Sequence, residues 1–281
     1  MKKNNWQKSF NAGLALFLLC SLFSCNSLDE VLPETGEEIG IGSTPGESLK
    51  ILVDASHDGG VWWFPQSGTY HQDQFHQGTF LANYLRESGF IVDELGRNVT
   101  ISDQVLESYN IIIRAGGFSD YTEGELTAYQ KAIDRGISLL LLSDHKTHDP
   151  NGDRLAEMLG LQFAGTVHEY SAPSGAPMAD VSRFSEHAIT KGLQSINDIP
   201  AATALMNAES NNAIQVLAWF SENAFVDLNF DGVQDNDEPT GMPFIGVVKH
   251  PTSKIFFMTD INTIERVPED LIDNIADWIR D

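Results

Sequence analysis

Short apolar runs alternate with amphipathic stretches from Leu49 onwards, and this alternation predicts strands separated by helices. Four of the runs are apolar almost throughout, which is typical of strands that are covered on both faces. Because helical stretches separate them, these strands are expected to lie parallel in one sheet. The runs are at 51–53, 90–92, 109–115 and 137–142.

The stretches between the runs carry the signals of helix ends. Thr122 and Glu125 have the spacing of a capping box, in which two side chains satisfy backbone N–H groups at the start of a helix. Gly89 and Gly160 each follow an amphipathic stretch, where glycine commonly ends a helix. Helices are therefore expected over 73–88, from Thr122 to Gly136, over 152–159 and after Pro268.

The pattern changes in the C-terminal part of the chain. Three strand-like runs follow one another at 214–220, 244–248 and 255–258, with no helical stretch between them. Strands that lack crossover helices are expected to pair antiparallel. The chain is therefore expected to be an α/β protein with a mainly parallel sheet and a C-terminal antiparallel extension.

Three stretches of the chain stand out as motifs: Ile51-Leu52-Val53-Asp54-Ala55-Ser56-His57, the Gly116-Gly117 turn and residues 187–193. Together they resemble motifs of the class I glutamine-amidotransferase-like superfamily. The last, His-Ala-Ile-Thr-Lys-Gly-Leu, is similar to the His-Pro-Ile-Thr-x-Gly-Leu element of trehalose-utilisation-type members, with Ala188 in place of the proline. The resemblance covers most of residues 49–281 and implies a flavodoxin-like three-layer sandwich.

The catalytic cysteine of this superfamily has no counterpart in the chain. Amidotransferases place it in a Gly-x-Cys-x-Gly turn after the fourth strand, whereas residues 142–146 here read Leu-Ser-Asp-His-Lys. The oxyanion loop would survive as Gly116 and Gly117, but an oxyanion hole without a nucleophile does not make a hydrolase. We therefore expect no glutamine hydrolysis.

The N-terminus has the features of a bacterial lipoprotein signal. Three lysines precede an apolar run over 12–23 that is too short to span a membrane. Leu22-Phe23-Ser24-Cys25 resembles a lipobox, which implies a diacylglycerol on Cys25 and cleavage before it. An ordinary cleaved signal and a buried N-terminal helix are the alternatives. The expected organisation is a signal peptide over 1–24, a flexible acidic tether over 25–48 and the α/β domain over 49–281.

The charge of the chain limits its partners. It has 17 Lys and Arg against 40 Asp and Glu, a net charge of −23. Binding of nucleic acid needs a basic face, so no nucleic acid partner is expected. Anionic lipid headgroups would be repelled as well, so acyl chains on Cys25 would have to hold the protein at the membrane. The acidic Ser-Leu-Asp-Glu after Cys25 resembles surface-export signals of outer-membrane lipoproteins, which implies a place in the outer cell envelope.

Residues 227–238 have the spacing of an EF-hand calcium loop, with Gly232 at its sharp turn. An acidic hairpin tip is the alternative, because Asp, Asn and Gly also favour turns. The flanks are strand-like rather than helical, so a structural clip is expected rather than a regulatory switch. The expected Ca²⁺ ligands are the side chains of Asp227, Asn229, Asp231, Asp235 and Glu238 and the carbonyl of Val233.

Polar groups follow three of the predicted strands, and ligands bind beyond such strand ends in open α/β sheets. The first loop offers His57 and Asp58 to bind hydroxyl groups, and Trp62 and Trp63 to stack on sugar rings. These tryptophans would alternatively cap the core beneath the loop. The other two strand ends carry the Gly116-Gly117 turn and the run Ser143-Asp144-His145.

The run Ser143-Asp144-His145 allows two further hypotheses. His145 and His148, with neighbouring aspartates, would be able to hold a transition metal. Ser143 and His145 would be able to form a nucleophile pair, although residues at this spacing rarely point at each other. Neither pattern is specific.

Together these features favour a lipid-anchored cell-envelope protein whose amidotransferase-like domain binds a glycan or another envelope component without catalysis. The alternative is a carbohydrate-active hydrolase that uses His57, Asp58, Asp144 and His145 for acid–base chemistry. A structural partner in an outer-membrane complex is the third hypothesis. A deep cleft joining His57 and His145, with a carboxylate pair, would favour the hydrolase. A large apolar patch would favour the structural partner.

Overall fold

A ten-stranded sheet organises the part of the chain that the structure describes, with two further sheets of two strands each. The computed structural model describes residues 48–57, 76, 78–97, 99–116, 119–145, 153–265 and 268–281, which all belong to a unit spanning Ile41–Asp281. The strands are β1 (Lys50–Asp54), β2 (Ile91–Leu95), β3 (Ile111–Ala115), β4 (Ser138–Leu142), β5 (Phe163–Ala164), β6 (Thr166–His168), β7 (Tyr170–Ser171), β8 (Pro177–Phe184), β9 (Ile196–Pro200), β10 (Ala204–Leu205), β11 (Ile214–Phe220), β12 (Phe225–Asp227), β13 (Pro243–Val248) and β14 (Ile255–Met258). The helices are α1 (Thr79–Glu87), α2 (Asp103–Leu106), α3 (Glu123–Asp134), α4 (Arg154–Met158) and α5 (Glu269–Arg280), with 3₁₀ turns at Ala188–Thr190 and Asn262–Glu265.

One half of the large sheet is parallel and is covered on both faces. Its strand order is β2-β1-β3-β4-β14, and every neighbouring pair in this set runs parallel. Alternate residues of β1 show the two coverings: Ile51 and Val53 pack with α1 and α5, whereas Leu52 packs with α2, α3 and α4. A strand that is buried on both sides needs apolar residues at every position, which explains the continuous apolar runs. The predicted flavodoxin-like three-layer arrangement is confirmed.

The other half of the sheet is antiparallel, as predicted for the C-terminal runs. β13 pairs antiparallel with both β11 and β14. β14 also pairs parallel with β4, with Met258 opposite Leu142, and so it joins the two halves. Gly246 of β13 lies under the ring of Phe257, where an added Cβ would come within 2.5 Å of the ring. This close approach lets the junction pack tightly.

Several element boundaries differ from the predictions. Within the described residues, the helix expected over 73–88 begins only at Thr79, and His76 is buried outside it. His76 Nε2 lies 2.7 Å from Glu94 Oε2 of β2, so His76 is held by a buried polar contact. The strand expected from Tyr109 begins at Ile111, with four residues between it and the end of the short helix α2.

The region from β5 to β9 was not predicted as strands. Its longest strand, β8, begins at Pro177 and pairs with three other strands, so its pattern of polar and apolar residues does not depend on one face alone. The partners are β7, β9 and β11. None of the helices in the described part of the chain is both long and apolar enough to cross a membrane.

Candidate functional site

Polar side chains gather beyond the carboxyl ends of β1, β3, β4 and β14, which are neighbouring strands. In open α/β sheets this edge is where ligands bind, particularly where the strand order reverses. The reversal lies between β1 and β3, because the chain places β2 on one side of β1 and β3 on the other. The predicted site residues that the structure describes, other than those of the calcium loop, lie at this edge.

Asp54, the last residue of β1, is buried and accepts hydrogen bonds from its surroundings. Tyr121 Oη donates to Asp54 Oδ2 at 2.9 Å and Tyr129 Oη donates to the same oxygen at 2.6 Å. The backbone N–H of Ser56 donates to Asp54 Oδ1 at 3.0 Å. Burial and the nearby charge of Asp54 raise the pKa of both tyrosines well above its usual range. Asp54 therefore ties β1 to α3 and does not face a ligand.

His57 sits above this buried cluster. Its ring stacks on Tyr121 with centroids 3.8 Å apart, and Nδ1 lies 2.8 Å from Ser56 Oγ. Its Nε2 lies 3.4 Å from Glu125 Oε2, which belongs to the predicted capping box of α3. Burial alone would raise the pKa of Glu125, but hydrogen bonds from Thr122 and from the backbone N–H of Ile101 outweigh burial and lower it. His57 is thus held by a charged carboxylate at the edge.

Several of the predicted site residues lie outside the part of the chain that the structure describes. Asp58, Trp62 and Trp63, which were predicted to bind a glycan, lie outside the described residues. Gly117 and His148 lie outside them as well. The hypotheses that rest on these residues therefore stay predictions.

A buried arginine side chain and a glycine turn lie at the end of β3. Arg114 is 1% exposed and forms an ion pair with Asp153, which also caps α4 by accepting the N–H of Ala156 at 3.0 Å. The Nε atom of Arg114 has no hydrogen-bond partner among the described residues. Gly116 follows with φ of 73°, a left-handed conformation that favours glycine, and its N–H donates to Leu142 O.

Two carboxylates lie together at the ends of β4 and β14. Asn262 Nδ2 donates to Asp144 Oδ2 at 3.3 Å and to Asp260 Oδ1 at 3.1 Å, so one amide bridges both. His145 Nδ1 lies 2.5 Å from Asp144 Oδ1. Burial and the neighbouring charge of Asp144 raise the pKa of Asp260 to about 7. Ser143 is buried, and its N–H continues the sheet by donating to Met258 O at 2.9 Å.

Sequence reasoning found Asp144 and His145 but missed Asp260 and Asn262. The available signal was the position of Asp260 just after the apolar run 255–258, at the carboxyl end of a strand. That run was expected to have only antiparallel neighbours, so its end was not placed at the ligand edge. The parallel pairing of β14 with β4 brings it there.

A groove opens beside the Arg114–Asp153 ion pair. It has a volume of about 760 Å³ and lies between the end of α4 and the β5 and β10 region. Its lining combines hydrogen-bonding groups with the half-buried ring of Phe163. The polar lining residues include Asp153, Glu157, Gln162, Asn207 and Ser210.

The predicted calcium loop forms one turn between β12 and β13. Asp227 and Glu238 are buried, whereas Asn229, Asp231 and Asp235 are exposed. Asp227 Oδ2 accepts the N–H of Gly232 at 2.8 Å, and Glu238 accepts the N–H groups of Leu228 and Asp235 at 2.7 and 3.0 Å. In the described part of the chain, no group of three or more His, Cys, Asp or Glu side chains is placed to hold a metal ion.

Residues 187–193, the third stretch of the resemblance, have a packing role. His187 caps the 3₁₀ turn by accepting the N–H of Ile189 at 3.2 Å, and burial lowers the pKa of its ring. Asn274 of α5 donates to the carbonyls of Ile189 and Lys191 at 3.1 and 2.8 Å. The stretch therefore fixes α5 on the sheet.

The sequence matches no family model and no curated relative. Among solved structures, the chain is similar to a ThuA-like protein from Bacteroides uniformis, with a TM-score of 0.51 at 16% identity over 85% of this chain and 95% of that one. The described domain of the present chain therefore has an amidotransferase-like fold. The mmIFT52 N-terminal domain shows the same fold, with a TM-score of 0.58 at 14% identity over 82% of this chain and 96% of that one. A β-galactosidase from Rahnella sp. R3 reaches 0.50 at 14% identity, over 83% of this chain but 31% of the enzyme.

Proposed function

We propose that this amidotransferase-like domain binds a hydroxyl-rich ligand, such as a glycan of the cell envelope, at the carboxyl edge of its parallel strands. The observation that carries the proposal is the convergence of His57, Asp144, His145 and Asn262 on that edge. Carboxylate, amide and imidazole groups are the hydrogen-bonding partners that sugar hydroxyls require.

The position of these groups supports a ligand site. They come from the ends of β1, β4 and β14, and rigid neighbouring strands hold such groups more precisely than free loops do. Asp54 and Tyr129, by contrast, are buried and bonded to each other, so they support the site from below. Phe163 and the polar lining of the groove beside Asp153 would extend the same chemistry over a volume of about 760 Å³.

The proposal includes the anchor and the calcium loop. Acylation at Cys25 would place the domain on the outer cell envelope, with 25–48 as tether. Ca²⁺ would bind the 227–238 loop, since its sequence has the EF-hand spacing, with Asp227 and Glu238 at its two ends. The ion would supply no chemistry to the ligand edge and would act as a clip on the hairpin.

A carbohydrate-active hydrolase is the second candidate, and the Asp144–Asp260 pair favours it. Enzymes that cleave glycosides combine one carboxyl group that holds a proton with one that is ionised. A raised pKa for Asp260 beside Asp144 has this character. Absence of the amidotransferase cysteine at 142–146 argues against glutamine hydrolysis only.

The test is a direct binding measurement on the full chain. Envelope polysaccharides and oligosaccharides on an array would be probed with the wild-type protein, with Asp144→Asn and with the surface variant Asp277→Asn. Asp277 is exposed on α5, so its loss of charge matches that of Asp144 far from the edge. We expect binding by the wild type and by Asp277→Asn, and a loss of about tenfold or more in Asp144→Asn.

Two outcomes would contradict the proposal. Equal binding by Asp144→Asn and by the wild type would show that the ligand does not bind at the carboxyl edge of the parallel strands. Binding of no carbohydrate by the wild type would overturn the ligand class. Release of reducing sugars during the same incubation would instead favour the hydrolase.

A further inference from the structure

The groove beside the Arg114–Asp153 ion pair begins at the carboxyl edge of the parallel strands. Asp153 directly precedes α4 and lines the groove, while its partner Arg114 lies at the end of β3. Arg114 is opposite Leu141 of β4, three residues before Asp144. The groove continues along α4 to Gly160, which lies about 10 Å further on at the rise of a helix. It therefore leads away from the edge where Asp144 lies.

Two asparagines in the groove wall are held rigidly. Asn207 Nδ2 and Asn211 Nδ2 both donate to Gly160 O, at 2.8 and 2.9 Å. Asn207 Oδ1 accepts the N–H of Gln162 at 3.1 Å. Asn211 Oδ1 accepts the N–H of Ala213 at 3.0 Å. Each carboxamide is thus fixed at both ends without a ligand, so little conformational entropy would be lost when a ligand binds to it.

These bonds use half of the hydrogen-bonding capacity of each carboxamide. A carboxamide has two N–H groups and two lone pairs on its oxygen. In the described part of the chain, Asn207 and Asn211 each use one N–H and one lone pair. A sugar hydroxyl both donates and accepts, so the remaining N–H and lone pair match it. Ser210, whose hydroxyl donates to Asn207 O at 3.1 Å, adds another such group to the lining.

The groove also has an apolar face. Phe163 is half-buried, and its ring centroid lies 6.4 Å from that of the buried Phe257, so the core supports this ring. Met206 is also half-buried and follows β10, whose Leu205 pairs with Phe163. An apolar surface with a few fixed polar groups is typical of sites that bind small organic ligands. The C–H faces of sugar rings would pack on this surface.

The charges along the groove disfavour an acidic ligand. Among the described lining residues, Asp153 and Glu157 carry a charge, and both are acidic. Arg114 balances the charge of Asp153, whereas Glu157 is exposed. The whole chain has a net charge of −23. Anionic sugars such as uronic acids would therefore be repelled, and neutral sugars would not.

We propose that this groove binds the second and following units of a neutral oligosaccharide whose first unit lies at the carboxyl edge. The inference rests on the proposed function and names its ligand class, which is a neutral chain rather than a single or an acidic sugar. The groove volume of about 760 Å³ falls within the range of about 300–1,000 Å³ that holds drug-sized ligands. It therefore has room for more than one sugar ring.

The experiment measures the affinity of the full chain for oligosaccharides of increasing length by isothermal titration calorimetry. The neutral probes are N-acetylglucosamine oligomers and cello-oligosaccharides, from one to about five units long. Oligogalacturonates of the same lengths are the acidic counterpart. We expect at least one neutral series to gain about tenfold or more in affinity from the shortest to the longest member. Oligogalacturonates should bind more weakly at every length.

A matched pair of variants tests whether the groove causes the gain with length. Ser210→Trp fills the groove from an exposed turn, and Ser174→Trp makes the same exchange in the exposed turn between β7 and β8. The gain in affinity with chain length should disappear in Ser210→Trp and persist in Ser174→Trp. Gln162→Trp, at another exposed lining position, repeats the test if Ser210→Trp does not fold. Glu157→Gln removes the exposed charge and should strengthen binding of oligogalacturonates by about two- to fivefold.

Three outcomes would overturn the inference. They are an affinity that does not change with chain length, an equal gain with length in wild type and in the folded groove variant, and a preference for oligogalacturonates. If neither neutral series binds while the array shows another carbohydrate bound, this inference is wrong and the proposed function stands. Binding of no carbohydrate on the array would overturn the proposed function and this inference with it.

Discussion

Replacing Asp260 by asparagine should remove the pH dependence that this residue imposes on the free energy of unfolding. Its folded pKa of about 7 lies above the ordinary value of 3.8. The folded state therefore binds the proton more strongly than the unfolded chain does. The resulting stabilisation is fully present below about pH 3.8 and is lost as the pH rises through about 7.

The magnitude follows from the difference between the two pKa values. Each unit corresponds to about 1.4 kcal/mol, so roughly three units amount to about 4 kcal/mol across the whole range. About 2 kcal/mol of this falls between about pH 5.5 and pH 8, an interval that avoids the isoelectric region. Asparagine keeps an acceptor for Thr263 but carries no charge. It also weakens the contact with Asn262, and that loss is the same at both pH values.

Urea unfolding of the full chain at about pH 5.5 and about pH 8 would measure this difference. We expect the free energy of unfolding of Asp260→Asn, relative to the wild type, to rise by about 2 kcal/mol between the two conditions. Asp277→Asn, which removes the charge of a side chain that is 77% exposed, serves as the matched control and should show no such change. A constant difference between Asp260→Asn and wild type would refute the argument that Asp260 is protonated near neutrality.

Three further predictions address the rest of the molecule. Tyr129→Phe removes a hydrogen bond to the buried Asp54 carboxylate and should lower the free energy of unfolding by about 1.5–3 kcal/mol, whereas Tyr84→Phe, at an exposed contact with Asp273, should change it little. Ca²⁺ at ten- to thirtyfold excess over Kd should stabilise the chain by about 1–2 kcal/mol. Asp227→Ala or Glu238→Gln should abolish this gain. An unchanged Tm in Ca²⁺, together with no heat of Ca²⁺ binding, would contradict the prediction. Cys25→Ser should release the protein from membranes, and full retention in the membrane fraction would show that a lipid on Cys25 does not hold it there.

The local elements of the fold could be predicted from the sequence because neighbouring residues determine them. The capping box of Thr122 and Glu125 is present, and α3 begins directly after it. The continuous apolar runs are buried parallel strands, since both faces of such strands are covered. The absence of the amidotransferase cysteine could also be seen directly at 142–146.

The site itself depended on the tertiary structure. The sequence pointed to His57, Asp144 and His145 because they follow predicted strands. It did not show that the carboxylate of Asp54 accepts hydrogen bonds from Tyr121 and Tyr129. Only the parallel pairing of β14 with β4 places Asp260 beside Asp144. Strand pairing between distant segments is decided by burial and register across the whole sheet, and no local pattern encodes it. The same contact removes Asp260 from water and raises its pKa, so the chemistry of this edge arises only when the chain is folded.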